Sequence, residues 1–279
     1  MISSSPIVLG EIPNEILEDI LEFLPTTELL GLAIINKRFH CLIVRLIHRR
    51  LLKASPLSDN CLIFECYHPS AKISTPSLSC KYIGNKAAGD ASALETKKTT
   101  LSGLRDMYSS FRLAINEDHV RRRRAGHDAD IDDTASEDVY LDEDELFSQL
   151  CAVTYVAKRG PRPGLFVSHV NMSDGVIRVW RDWLARAAVD GPVSTSNSVG
   201  DKAVLWADAS KNVGVRFKVT AAASENMPLI SGPNDHPPVA YTLQYEELLV
   251  RTTKLLLAVE RSAVLEISHS GKAVIISSM

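Results

Sequence analysis

The chain lacks any run of about 18 uncharged apolar residues, the length a membrane-spanning helix needs. Its best candidate, LLVRTTKLLLAV, is broken by Arg251 and Lys254. The opening MISSSPIVLG has neither a basic flank nor a full apolar stretch, so no secretory signal is expected. Paired cysteines are lacking too. Cys41, Cys61, Cys66, Cys80 and Cys151 make an odd five with loose spacing, which fits free thiols in a reducing compartment. Cys61, Cys66, His68 and Cys80 follow C-x4-C-x-H-x11-C, without the C-x2-C knuckles of structural zinc sites. Cys61 and Cys66 lie in CLIFEC, which reads as a buried strand, so core thiols and no metal are expected. A charge of one sign is missing as well: 31 Lys and Arg stand against 34 Asp and Glu, a net charge of −3. That balance supplies no general reason to expect nucleic acid or membrane as a partner. The expected residence is the cytoplasm, the nucleus or both.

Catalytic signatures are equally scarce. There is no G-x-S-x-G elbow and no H-E-x-x-H. HSGKAV has Gly-Lys without the loop and upstream Gly of a phosphate-binding turn. His169, His236 and His269 are scattered. Carboxylates are plentiful from Asp128 to Glu145 but have no apolar surroundings to shift them. An enzyme is not expected, nor a cofactor. With 45% hydrophobic and 23% charged residues, the 279-residue chain has globular values. Its length suits one small domain and one of ordinary size.

What is present begins at Ile12. In IPNEILEDILEFLPTTELLGLAIINKRFHCLIVRLIHRRLL, Pro13 suits a first helical position, where its missing N–H costs nothing. Ile16, Leu17, Ile20, Leu21 and Leu24 follow a helical period, with Glu15, Glu18, Asp19 and Glu22 opposite. Pro25 ends the segment. Thr26 or Thr27 can cap a second helix, with Glu28 in its first turn. That helix carries Leu29, Leu30, Leu32, Ala33, Ile34 and Ile35, and Asn36 breaks it. A third places Phe39, Leu42, Ile43, Leu46, Ile47 and Leu51 on one face and Lys37, Arg38, Arg45, Arg49 and Arg50 on much of the other. Three helices in about 40 residues are marginal alone, so part of this apolar surface needs another domain or another chain.

These residues resemble the F-box. The family's opening Leu-Pro is matched by Ile12-Pro13, and its Glu-Ile/Leu-Leu by Glu15-Ile16-Leu17. Its Ile-Leu…Leu-Pro is matched by Ile20-Leu21…Leu24-Pro25, and its Asp-Leu with following apolar residues by Glu28-Leu29-Leu30 and Leu32. The closing Val-Cys-Arg/Lys-Arg-Trp corresponds to Ile35-Asn36-Lys37-Arg38-Phe39, departing at Asn36 for Cys and Phe39 for Trp. The resemblance implies a helical adaptor that docks onto a Skp-family protein and through it a cullin. It further implies a Skp-facing surface formed or supported by Ile12, Pro13, Ile16, Leu17, Ile20, Leu21, Leu24, Leu29, Leu32, Ile35, Phe39 and Leu42. The rest of the chain would then hold a protein substrate whose identity the sequence does not reveal.

Beyond the F-box-like residues 1–54 (core 11–52), residues 55–115 read as a connecting region, partly ordered, rich in Ser, Thr, Gly, Ala and Pro after CLIFECYHP. Residues 116–145 read as a charged flexible linker: Arg121–Arg124 precede a run in which ten of eighteen positions from Asp128 to Glu145 are acidic. The four arginines also fit a nuclear-import address or a phosphate-binding patch.

Residues 146–279 read as a β-rich domain. VGVRFKVT alternates Val213, Val215, Phe217 and Val219 with polar partners. Val239–Glu246 and Leu255–Arg261 read as β-rich segments, Ser173-Asp174-Gly175 as a turn, and Ser270-Gly271 as a hairpin tip. The expected fold class is therefore α+β: an N-terminal three-helix F-box followed by a mostly antiparallel, sandwich-like β domain with Trp180, Trp183 and Trp206 as large packing units. YSSFRLAI, LDEDELFSQL, GLFVSHVNMSDGVIRVWRDWLA and LLVRTTKLLLAVE resemble a C-terminal region of fungal F-box proteins. The Trp-Leu pair followed by alternating strands is similar to the phloem-lectin-like sandwich of some plant F-box proteins. This gives the alternative reading: a lectin-like or protein-binding module that pairs with Skp outside a ligase.

Overall fold

The computed structural model describes residues 12–72, 75–87, 100–115, 135–160, 165–189, 204–222, 238–268 and 275–276. Three helices come first: α1 (Asn14–Glu22), α2 (Thr26–Leu32) and α3 (Lys37–Ala54). Pro13 and Pro25 each stand at the cap position before a helix, where no N–H is wanted. Asn36 caps α3: its side-chain oxygen accepts a hydrogen bond from the Phe39 N–H at 2.9 Å. The Asn for Cys departure thus supplies the capping oxygen itself. Leu17, Leu21, Leu29, Phe39, Leu42, Ile43, Leu46, Ile47 and Leu51 are buried between the helices. Leu104, Met107 and Leu256, from later in the chain, complete that core. The chain's own remainder therefore covers part of what the small bundle cannot bury alone.

Among the described residues the rest is built on ten strands: β1 (Asn60–Tyr67), β2 (Leu78–Ala87), β3 (Met107–Ile115), β4 (Ser136–Leu141), β5 (Phe147–Arg159), β6 (Leu165–Trp180), β7 (Leu205–Trp206), β8 (Val213–Ala221), β9 (Val239–Arg251) and β10 (Ile275–Ile276). Three more α-helices among the described residues accompany them: α4 (Leu101–Arg105), α5 (Arg181–Val189) and α6 (Thr252–Ser268). The strand order is β10-β6-β5-β1-β2-β3-β9-β8-β7, with β4 beside β9, and the pairings are antiparallel. The expected mostly antiparallel domain is present, and its two layers are opposed halves of one curled sheet. Phe64, Leu150, Val156 and Ile177 on one half share a core with Phe111, Val215, Leu243 and Leu248 on the other. Leu184 of α5 and Leu255 and Ala258 of α6 join that core. The sheet's edges meet where the Val176 N–H of β6 donates to the Ala207 carbonyl, just past β7, at 3.2 Å.

Several sequence expectations are corrected. The connecting region 55–115 supplies β1, β2 and β3, so it is integral to the sheet. Part of the 116–145 linker is also sheet: β4 buries Val139 and Leu141 and turns Asp138 and Tyr140 outward, an alternation hidden beneath the acid content. The Arg121–Arg124 run lies outside the described residues. Ser173-Asp174-Gly175 is no turn; β6 runs straight through it, with a register shift opposite Thr154 and Tyr155. Gly175 serves the sheet's closure instead, because a Cβ there would fall 2.9 Å from the Ala207 carbonyl carbon. Leu255–Arg261 is helical, part of α6, where Leu255, Ala258 and Ser262 are buried along one side. The hairpin tip at Ser270-Gly271 lies outside the described residues.

The tryptophans sit at the rim of the core rather than its centre. Trp180 is exposed and packs against Phe147 in a tilted arrangement with centroids 4.9 Å apart, and Trp183 packs partly against the core. Cys61 and Cys66 lie on opposite faces of β1: Cys66 in the main core, Cys61 against Ile63, Tyr155 and Ala157 outside it. Two thiols so placed cannot share one ion. Burial pushes the Cys66 thiol up to about 12 and that of Cys80 well above its ordinary value.

Candidate functional site

Helix α1 carries an apolar arc too wide for one core. Leu17 and Leu21 point inward, and Leu24 is half-buried. One position earlier, Ile16, Ile20 and Phe23 form a second stripe at i, i+4 and i+7 that faces out. In α2 and the turn after it, Leu29 and Ala33 are buried while Leu30, Ile34 and Ile35 are exposed. Phe23 is 90% exposed and Ile34 88%, values a large side chain keeps when no described residue covers it. Six exposed large apolar residues on two consecutive short helices and the turns after them are side chains of the kind that mark a protein interface.

The frame beneath this surface is rigid. Arg38 of α3 donates to the Asn14 side chain at 2.7 Å and to the Ile12 carbonyl, fixing the start of α1. Arg49 pairs with Glu18 at 3.0 Å and Glu22 at 3.5 Å. Arg50 donates to the Glu22 and Leu24 carbonyls at 2.7 and 2.8 Å, satisfying the end of α1. Its other nitrogen reaches Glu260 of α6 at 3.3 Å. Glu260 also accepts from the Thr26 N–H and hydroxyl, at 3.2 and 2.5 Å. The cap expected from the Thr26 side chain is therefore supplied by a carboxylate from the far end of the chain, and Thr26 donates to it. Behind this junction Ser109 bonds Ser55, Asn85 and Thr252 in a mostly buried hydroxyl network joining α3, β2, β3 and α6. The two apolar stripes are thereby held in a fixed attitude to the sheet.

The twelve residues expected to form or support the docking surface divide as follows. Pro13, Ile16, Ile20 and Ile35 are exposed, and Ile12, Leu24 and Leu32 are half-buried. Leu17, Leu21, Leu29, Phe39 and Leu42 are buried in the core of the helices. Phe23, Leu30 and Ile34, outside the twelve, are exposed as well; their signal in the sequence is the second stripe, offset by one residue from the first.

The strongly perturbed groups elsewhere have structural partners. Burial pushes the Glu247 carboxyl up, but hydrogen bonds from Lys86 and Ser110 and the charges of Lys86 and Arg216 outweigh it, leaving it below its ordinary value. The Tyr155 hydroxyl is raised by burial and by donating to Glu65 at 2.8 Å. A groove of about 440 Å³ runs between α6, β6 and the start of α2, lined by Met172, Leu257, Val264 and Pro25 with Lys254 and Arg261 at its rim. Among the described residues, no three His, Cys, Asp or Glu side chains are grouped to hold a metal ion. Among the same residues no helix is long and apolar enough to cross a membrane.

Residues 9–50 match the family model for the F-box domain, so the chain carries an F-box domain there. No curated protein and no solved structure matches the chain.

Proposed function

We propose that this protein is a substrate-recruiting adaptor of a Skp–cullin–F-box ubiquitin ligase, with no chemistry of its own. An F-box domain implies a Skp-binding role in such ligases generally. The observation that carries the reading is the uncovered apolar surface of Ile16, Ile20, Phe23, Leu30, Ile34 and Ile35 on the helices of that domain. Anchors of this kind in a buried interface are typically worth a few kcal/mol each. The β domain holds the substrate, and its fixed attitude to the F-box through Glu260 and Arg50 suits a device that works by proximity. Holding a substrate lysine near a charged ubiquitin-conjugating enzyme raises its effective concentration without any catalytic group from the adaptor. Residence in the cytoplasm, the nucleus or both belongs to the same proposal.

The test is affinity capture of the tagged full-length chain beside an Ile16→Asp, Ile20→Asp variant, with mass spectrometry of both. The reading expects Skp and cullin with the wild type and neither with the variant, while substrates remain on both. Capture of Skp without cullin moves the protein to the module that pairs with Skp outside a ligase. Absence of Skp from the wild type overturns the adaptor altogether.

A further inference from the structure

The outward face of β3, β9 and β8 carries a concentration of positive charge that the adaptor reading has not used. Inward positions on these strands are apolar: Phe111 and Leu113, Leu248 and Val250, Val213, Val215, Phe217 and Val219. The alternate positions carry Arg112, Arg251, Arg216 and Lys218, alongside the buried Tyr108, Ser110 and Leu249. Lys86 of β2 joins them through its bond to Glu247, and Lys211 lies over the Trp206 ring at 6.0 Å. Among the described residues, the acids near these six cations are Glu247, already bonded to Lys86, Ser110 and Arg216, its neighbour Glu246, Asp138 on β4, which accepts from Thr242 at 2.7 Å, and Asp208, which accepts from the Asn212 N–H beside Lys211. The guanidinium Nε atoms of Arg216 and Arg251 are both buried without a hydrogen-bond partner. Arg112, Lys211 and Lys218 are exposed. Among the described residues the cations here therefore outnumber the acids beside them, in a protein whose net charge is −3.

We propose that this face binds an Asp- and Glu-rich segment of a partner protein. Neighbouring strands stand about 4.8 Å apart and alternate residues along a strand about 7 Å apart. Cations on that grid match carboxylates on an extended peptide. The aromatic groups argue against single-stranded nucleic acid, whose bases need an open ring face to stack on. Tyr108 is held between Trp206, 5.4 Å away, and the Arg251 guanidinium, 5.6 Å from its ring centre. Trp206 lies against Gly214, where a Cβ would come within 2.7 Å of its ring, and has Lys211 over it. A long polyanion would also meet the acidic remainder of the molecule, whereas a short acidic segment within about one Debye length (~8 Å) of the patch responds to its local field. Under the adaptor reading this face is the place where a substrate is held, and in that respect the inference rests on that reading.

The test is fluorescence anisotropy of a labelled 12-residue peptide of alternating Glu and Ser, titrated with the full-length chain at low and high salt. Its Gln-for-Glu counterpart and a single-stranded DNA 12-mer serve as comparison probes. The variant is Arg112→Glu with Lys218→Glu, two exposed residues away from the Glu247 bonds, with thermal unfolding recorded to show that it folds. The expected result is binding of the acidic peptide over the other two, weakened by salt and about tenfold weaker in the variant. Equal binding by a folded variant, no binding by the wild type, or a preference for DNA overturns the proposal. Skp capture by the same preparations separates the two claims. Loss of peptide binding with Skp retained leaves the adaptor standing, and peptide binding without Skp leaves this face standing alone.

Discussion

Glu260 and Thr26 lie 234 positions apart in the chain and meet through two hydrogen bonds, from the Thr26 hydroxyl at 2.5 Å and its N–H at 3.2 Å. The last long helix thus caps the second, and Arg50 closes the triangle at 3.3 Å from Glu260 and 3.1 Å from the Thr26 hydroxyl. A helix start left without its cap costs about 0.5–2 kcal/mol. Glu260→Ala is expected to lower stability by about 1–2 kcal/mol, since Arg50 keeps its carbonyl partners at the end of α1. Urea denaturation measures this, and amide exchange should quicken in the first turn of α2. An unchanged midpoint would show that water replaces the carboxylate without loss.

Closure of the sheet depends on Gly175. A methyl group there would collide with the Ala207 carbonyl, which accepts from Val176 and holds β6 against the residue after β7. Overpacking against backbone costs about 1–3 kcal/mol. Gly175→Ala should lose that much in thermal or urea unfolding, with faster exchange of the Val176 amide. Retention of both properties would mean that the edges close by other contacts.

The Glu247 carboxyl is held below its ordinary value because Lys86, Ser110 and Arg216 favour the charged form more than burial disfavours it. A group with a depressed folded pKa binds its proton more readily when unfolded, so its contribution is present above the unfolded value of about 4.5 and fades as pH falls through the folded one. Glu247→Gln should therefore destabilise the protein at neutral pH, and the gap to wild type should shrink as pH falls below about 4.5. Urea midpoints for both proteins across that range measure the effect. A gap that is constant with pH would assign it to shape and not to charge.

Local chemistry was legible in the chain. Pro13, Pro25 and Asn36 mark helix boundaries through groups within three residues of themselves: Asn36 caps α3, while Pro13 stands at the cap, one residue before the first helical position expected of it, and Pro25, not a threonine, occupies the cap position of α2. Which stripe of α1 faces inward was not legible, because Ile16-Ile20 and Leu17-Leu21 are equally apolar and only the placement of α3 chooses between them. The same ambiguity hid the helix at Leu255–Arg261: an apolar run has no period of its own, and its helical rows emerge only against the core they cover. At Gly175 an Asp-Gly pair that signals a turn was used for a close approach between residues 32 positions apart, a contact no local pattern records. Glu260 capping Thr26 is non-local in the same way, since any carboxylate could have filled that place.

Direct binding of purified full-length chain to purified Skp tests the central claim most closely. Calorimetry would compare wild type with two variants, Ile20→Asp paired with Ile34→Asp on the exposed surface, and Leu17→Ala in the core. The account predicts wild-type binding, a folded surface variant whose affinity falls by about a hundredfold or more, and a core variant that loses about 2–5 kcal/mol of stability. A surface variant that folds and binds Skp as well as wild type would contradict it.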